Sequence, residues 1–234
     1  MFLVLAFAAV PFAYTGSLGP GGHLTIDDVN GNVRVRPGAA FTVHAVKRGR
    51  RDDPKDVAIR VETAGNRTVI CVRYPPNQKA SCSEPDESHD NDVTVDFDVT
   101  VPRGVALDAS SVNGWVDATN DGPIGRAASV NGYVRAAAPS IAEATSVNGR
   151  IDLRLTARER DELSVKTVNG DVTVALPAST GARISASTLN GDIRVGLPVV
   201  RPQYGPGAHA DGTVGDGAMK LRLQSLNGSI IVTR

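Results

Sequence analysis

The chain is short of the residues that most compact folds use to fill a core. Aromatic residues make up 4% of its 234 residues, with a single Trp and two methionines. Its interior must therefore come from small and β-branched side chains, which suits many short strands. No stretch shows sustained helical periodicity. Net charge is absent as well. The 25 Lys and Arg balance the 25 Asp and Glu, so no global field draws the chain to nucleic acid or an anionic membrane. No apolar run reaches the roughly 20 residues a membrane helix needs. The longest, Met1 to Ala13 (MFLVLAFAAVPFA), has the length of a signal-peptide core. Residues 1–20 are accordingly expected to be a leader, with no transmembrane helix beyond it. The basic start of a usual leader is missing, which leaves an N-terminal strand as the alternative.

Catalytic and cofactor motifs are missing too. There is no Gly-x-Ser-x-Gly elbow and no phosphate-cradling glycine loop. His23, His44, His89 and His209 are scattered with no second metal ligand at strand or helix spacing. The acidic stretch Ser83 to Asp92 carries Glu84, Asp86, Glu87, Asp90 and Asp92. It lacks the central glycine of a calcium loop and reads as a solvated loop. No metal or cofactor is expected. The two cysteines, Cys71 and Cys82, are too few for a structural zinc site. In an exported chain they are expected to form a disulfide.

What the chain has is turn residues and a repeat. Gly numbers 24 and Pro 14. The pair Asn-Gly recurs at Asn30-Gly31, Asn113-Gly114, Asn131-Gly132, Asn148-Gly149, Asn169-Gly170, Asn190-Gly191 and Asn227-Gly228. Its flanks recur with it: DVNGNVRV, SVNGWVDA, SVNGYVRA, SVNGRIDL, TVNGDVTV, TLNGDIRV and SLNGSIIV. From Asn113 onward the spacings are 18, 17, 21, 21 and 37 residues, the last holding a Gly- and Pro-rich insertion at 199–217 that reads as loop. Apolar residues alternate on both sides of each pair, so strands flank it. Asn and Gly both tolerate positive φ, and Gly170 and Gly191 are expected there. Each pair closes either a two-residue hairpin or a corner between stacked units. The near-constant period favours the second, because stacked units must match in perimeter. Val116, Val134, Ile151, Val172, Ile193 and Ile230 share one repeat position and are expected to form one core ladder.

The fold class expected is all-β, a β-solenoid (parallel β-helix-like) of Asn-Gly units spanning 106–234. Residues 22–105 form an irregular N-terminal β cap with one early repeat. Strand-like runs there cover 40–46, 57–63, 68–74 and 92–101. The serial Ser/Thr-Val-Asn-Gly units and the closing run GDGAMKLRLQSLNGSIIVTR resemble the bacterial putative-adhesin, or toast-rack, β-strand-repeat family. The resemblance covers 106–234 well and 22–101 loosely. It implies a solenoid-like stack, usually outside the cytoplasm, sometimes within envelope-stress systems, and brings no catalytic residues.

Trp115 and Tyr133 hold the same position, two after Asn, in adjacent units, and Asp117 and Arg135 lie two residues further on. These four form the candidate binding face, because aromatic and Arg anchors are enriched at hot spots. The plainer reading is a cross-strand aromatic pair that only stabilises a sheet. Asp171 and Asp192 follow Asn-Gly in consecutive units and raise the alternative of a glycan hydrolase or lyase on a β-helix scaffold. The alternating series Asp117, Arg135, Asp152 argues instead for ion pairing on a solvent face. The function expected is a non-catalytic extracytoplasmic scaffold or interaction domain of the envelope or cell surface. Its partner would be an envelope glycan or protein. An envelope-stress sensing module acting through a partner is a further alternative.

Overall fold

The computed structural model describes residues 9–84, 91–157, 162–196, 201–205 and 207–234. The chain is almost all strand. In order it forms β1 (Val10–Gly16), β2 (His23–Asn30), β3 (Val33–Gly38), β4 (Phe41–Arg48), a 3-10 turn at Pro54–Asp56, β5 (Ala58–Ala64), β6 (Arg67–Arg73) and β7 (Thr94–Pro102). The tandem part adds β8 (Ala106–Asn113), β9 (Val116–Thr119), β10 (Ile124–Asn131), β11 (Val134–Ala138), β12 (Ile141–Asn148), β13 (Ile151–Leu155), β14 (Glu162–Asn169) and β15 (Val172–Ala175). Then come β16 (Ala182–Asn190), β17 (Ile193–Val195), β18 (Arg201–Gly205), β19 (Gly207–Val214), β20 (Met219–Asn227) and β21 (Ile230–Thr233).

Each repeat unit gives one strand to each of two sheets. The strand before Asn-Gly enters an 11-stranded sheet, ordered β18-β19-β16-β20-β14-β12-β10-β8-β2-β6-β5. The strand after it enters a 10-stranded sheet, ordered β1-β4-β7-β3-β9-β11-β13-β15-β21-β17. The pairs between repeat units are parallel and in register, Asn on Asn and apolar on apolar. Thus β14 pairs with β12 and β20, and β15 with β13 and β21. Neither pairs with the other, so Asn-Gly is a corner between sheets and not a hairpin turn.

Alternation sends the inner rows of both sheets into one core, as period-two side-chain geometry requires. Val116, Val134, Ile151, Val172 and Ile230 are all fully buried. Ile193, expected in the same ladder, is only partly buried. The reason is that β17 is the edge of its sheet. At the other end β2 and β3 stand in register with the tandem units, β6 and β7 add to them in parallel, and antiparallel pairing finishes both sheets, β4 then β1 beyond β7 and β5 beyond β6. These strands match the runs expected at 40–46, 57–63, 68–74 and 92–101. Val10–Gly16, inside the span read as leader, forms β1 along β4, with Phe12 and Tyr14 packed on the core. Of the leader, residues 1–8 lie outside the described residues, as do 85–90 of the acidic loop.

Three expectations are corrected. First, the units do not stack in chain order. The last, β20–β21, inserts between β14–β15 and β16–β17. Second, the Gly-rich insertion is not a plain loop. Its β18 and β19 form an antiparallel hairpin that covers β16, which would otherwise be an open edge. Third, Gly170 and Gly191 do not sit at positive φ; both lie outside that region, although Gly31 (145°) and Gly228 (152°) reach its far border. Glycine is required for close approach. A Cβ on Gly170 would lie 2.1 Å from the Gly149 carbonyl oxygen, and one on Gly191 2.2 Å from that of Gly228.

Candidate interaction face

The corner is held by three rows of side-chain and backbone contacts. The asparagines form a ladder in which each Nδ2 donates to the Oδ1 of the preceding unit at 2.7–2.9 Å, from Asn113 on Asn30 through Asn131, Asn148, Asn169 and Asn227 to Asn190. Two residues before each Asn, a hydroxyl points inward. Ser111, Ser129, Ser146, Thr167, Ser225 and Thr188 donate to the carbonyls of Gly31, Gly114, Gly132, Gly149, Gly170 and Gly228. This explains the Ser/Thr of the template, since a buried carbonyl left unpaired is costly. The glycines supply the close contact already described.

Asp28 breaks the hydroxyl row. It pairs in register with Ser111, is 3% exposed, and accepts the Val29 N–H at 2.9 Å through Oδ1. Among the described residues its Oδ2 has no partner. Burial pushes its pKa up to about 8; the Val29 bond opposes this and nearby Asp96 adds to it.

On the outer face of the 10-stranded sheet, the predicted residues do come together. Trp115 and Tyr133 stack nearly parallel, with centroids 5.6 Å apart and planes 7° apart. Arg34 lies over the Trp115 ring at 5.0 Å, and Arg135 and Arg150 over Tyr133 at 5.6 and 5.5 Å. Arg135 reaches Asp117 at 3.7 Å and Arg150 reaches Asp152 at 3.1 Å. The ring faces are thus occupied by each other and by guanidinium groups, a favourable cation–π arrangement. Sequence reading found the aromatic pair but not Arg34 and Arg150. The repeat carried a signal for Arg150, which holds the position of Trp115 and Tyr133 in the next unit, whereas Arg34 holds that of Asp117 and Arg135.

A second outward row was also missed. Val112, Val130, Val147, Val168, Leu226 and Leu189 are 38–53% exposed along the 11-stranded sheet. A trough of about 420 Å³ runs beside the four valines, floored by Ser110, Ala128 and Thr145. The template shows the row: the residue between the inward hydroxyl and Asn must face out.

The carboxylates behind the enzymatic alternative are not neighbours. Ser229 stands between the rows of Asp171 and Asp192. Asp171 accepts the Ser229 N–H at 2.7 Å, and Asp192 lies 3.5 Å from Arg194. Among the described residues no group of three or more His, Cys, Asp or Glu is placed to hold a metal ion, and no helix is long and apolar enough to cross a membrane. Cys71 and Cys82 are bonded, with Cα atoms 5.7 Å apart.

No family profile and no curated protein matches the chain. Among solved structures, it is similar to one described as a putative cell adhesion protein from Clostridium sporogenes. The two share 13% identity and a TM-score of 0.55 over 97% of this chain and 99% of the other. A structure described as a putative adhesin from Bacteroides fragilis matches at 9% identity and TM-score 0.36, covering 97% of both chains. One from Parabacteroides distasonis, described likewise, matches at 12% identity and TM-score 0.32, covering 96% of this chain and 97% of the other. The Clostridium likeness establishes a shared fold, in agreement with the resemblance drawn from the repeat.

Proposed function

We propose that this chain is a non-catalytic extracytoplasmic interaction domain, a β-solenoid whose Trp115–Tyr133 face docks a protein partner of the cell envelope. The observation that carries this is the aromatic pair fixed between Arg34, Arg135 and Arg150 on an open sheet face. Trp, Tyr and Arg are the side chains most enriched at protein hot spots. A sugar would need a free ring face, and both ring faces here are in use; a protein can pack against ring edges and guanidinium planes. The Cys71–Cys82 bond supports an oxidising compartment. The regular outer faces and the separation of Asp171 from Asp192 favour a binding role over glycan cleavage.

The test is capture from envelope extract with the wild-type chain and with a Trp115→Ala, Tyr133→Ala double variant, each checked for folding by thermal melting. The expected result is a protein retained by the first and lost by the second. Retention of the same protein by both, at equal affinity, would overturn the assignment.

A further inference from the structure

The Asn-Gly pair is the dipeptide most prone to deamidate, and this chain carries seven of them in an exposed corner. The reaction has a geometric requirement. The glycine nitrogen must lose its proton and reach the Asn Cγ. The N–Cγ bond forms, the Cγ–Nδ2 bond breaks and ammonia leaves. Water then opens the succinimide at either carbonyl, giving Asp or isoaspartate. The net change is water in and ammonia out, with no oxidant.

The stack obstructs this at interior units. The carboxamides of Asn113, Asn131, Asn148, Asn169 and Asn227 are held at both ends, Nδ2 by one neighbour and Oδ1 by the other. A side chain so clamped cannot swing onto the next backbone nitrogen. The nitrogens of Gly31, Gly149, Gly170 and Gly228 are also committed, donating to the carbonyls of Asn113, Asn169, Asn227 and Asn190 at 2.9–3.1 Å.

Asn190 is different because it ends the ladder. Its Nδ2 donates to Asn227 at 2.7 Å, but among the described residues nothing donates to its Oδ1, which sets it apart; the Gly191 N–H also lacks an acceptor there, as do those of Gly114 and Gly132. The strand beyond, β19, runs antiparallel and pairs with β16 only as far as Thr188. Asn190 and Gly191 are exposed, and Leu189 is the most exposed of its row at 53%. The following strand, β17, has three residues and, among the described residues, no strand on its outer side. Stacked arrays open first at their end units.

We propose that Asn190 is the deamidation site of the folded protein and that the ladder protects the interior Asn-Gly pairs. The product puts a carboxylate where the last rung had its donor, two residues from Asp192, and removes that rung.

Each Asn-Gly falls on its own tryptic peptide, Asn190 on 184–194, so all seven rates are read in one digest. The full-length chain, disulfide intact, is held at mildly alkaline pH and sampled over time. Conversion of the 184–194 peptide should outpace that of 127–135, 136–150 and 167–183 by about tenfold or more. In denaturant with the disulfide reduced, the rates should converge, which separates ladder protection from the effect of local sequence. Comparable rates at Asn148 and Asn190 in the native chain would overturn the proposal, as would an Asn190 advantage that persists after denaturation.

Discussion

Replacing Asp28 by Ser should make the protein more stable at neutral and alkaline pH while leaving it nearly unchanged in acid. Asp28 stands where the other units carry a hydroxyl, and its Oδ2 is buried with no partner among the described residues. Its carboxyl titrates near 3.8 when unfolded and is pushed up to about 8 by burial in the native chain. The folded state therefore binds the proton more tightly. Below the unfolded value both states are protonated and the residue carries no penalty. As pH rises from about 4 toward 8, only the unfolded state ionises, and native stability falls by about 1.4 kcal/mol per pH unit. Near pH 7 the accumulated loss is on the order of 4 kcal/mol, an upper figure given local relaxation. Urea unfolding of wild type and Asp28→Ser across this range measures it, with the difference between the two curves isolating this residue from other titrating groups. The difference should grow in favour of the variant from mild acid to neutral pH and level off above about pH 8. A constant difference would mean that Asp28 is hydrated in the native state and the argument is wrong.

Gly170→Ala should cost about 2 kcal/mol or more in urea unfolding, because its Cβ meets the Gly149 carbonyl at 2.1 Å. Gly65→Ala, at φ 61° but with open space around it, should cost only about 1 kcal/mol. Val172→Asp should destabilise by more than about 3 kcal/mol, since it buries an unpaired charge. Thr173→Asp, on the outer face, should stay within about 0.5 kcal/mol. Removing the disulfide by Cys71→Ala with Cys82→Ala should lower stability by about 2–3 kcal/mol, read by thermal or urea melts.

Much of the architecture could be read from the template. Alternation on both sides of Asn-Gly placed Val116 and Val172 inside and Trp115 and Asp117 outside, because strand geometry leaves no other choice once the corner is fixed. The Asn-Gly signal itself was ambiguous: the same pair serves a hairpin that needs positive φ and a corner that needs a missing Cβ. The near-constant period favours the corner, and the neighbouring backbone, the Gly149 carbonyl against Gly170, decides it. The spatial order of the last units was not legible, since SLNGSIIV fits the template as well between β15 and β17 as beyond them. The 37-residue gap held the clue, being long enough for a hairpin to cover β16 while the chain returned to insert β20. Arg34 over Trp115 was hidden by a separation of 81 residues that only the register of β3 on β9 closes.

The most direct test of this arrangement is thiol cross-linking across the 10-stranded sheet, where β21 should lie between β15 and β17. Cysteines at Thr173 and Ile231, adjacent in register on β15 and β21, should join rapidly in the native chain, as should cysteines at Arg194 and Ile231. Cysteines at Thr173 and Arg194 should remain apart, being two strand spacings or roughly 10 Å from one another. Fast joining of Thr173→Cys to Arg194→Cys, with no joining of either to Ile231→Cys, would show that the units stack in chain order and would contradict the inserted C-terminal unit on which both the hydrogen-bonded ladder and the exposed end at Asn190 depend.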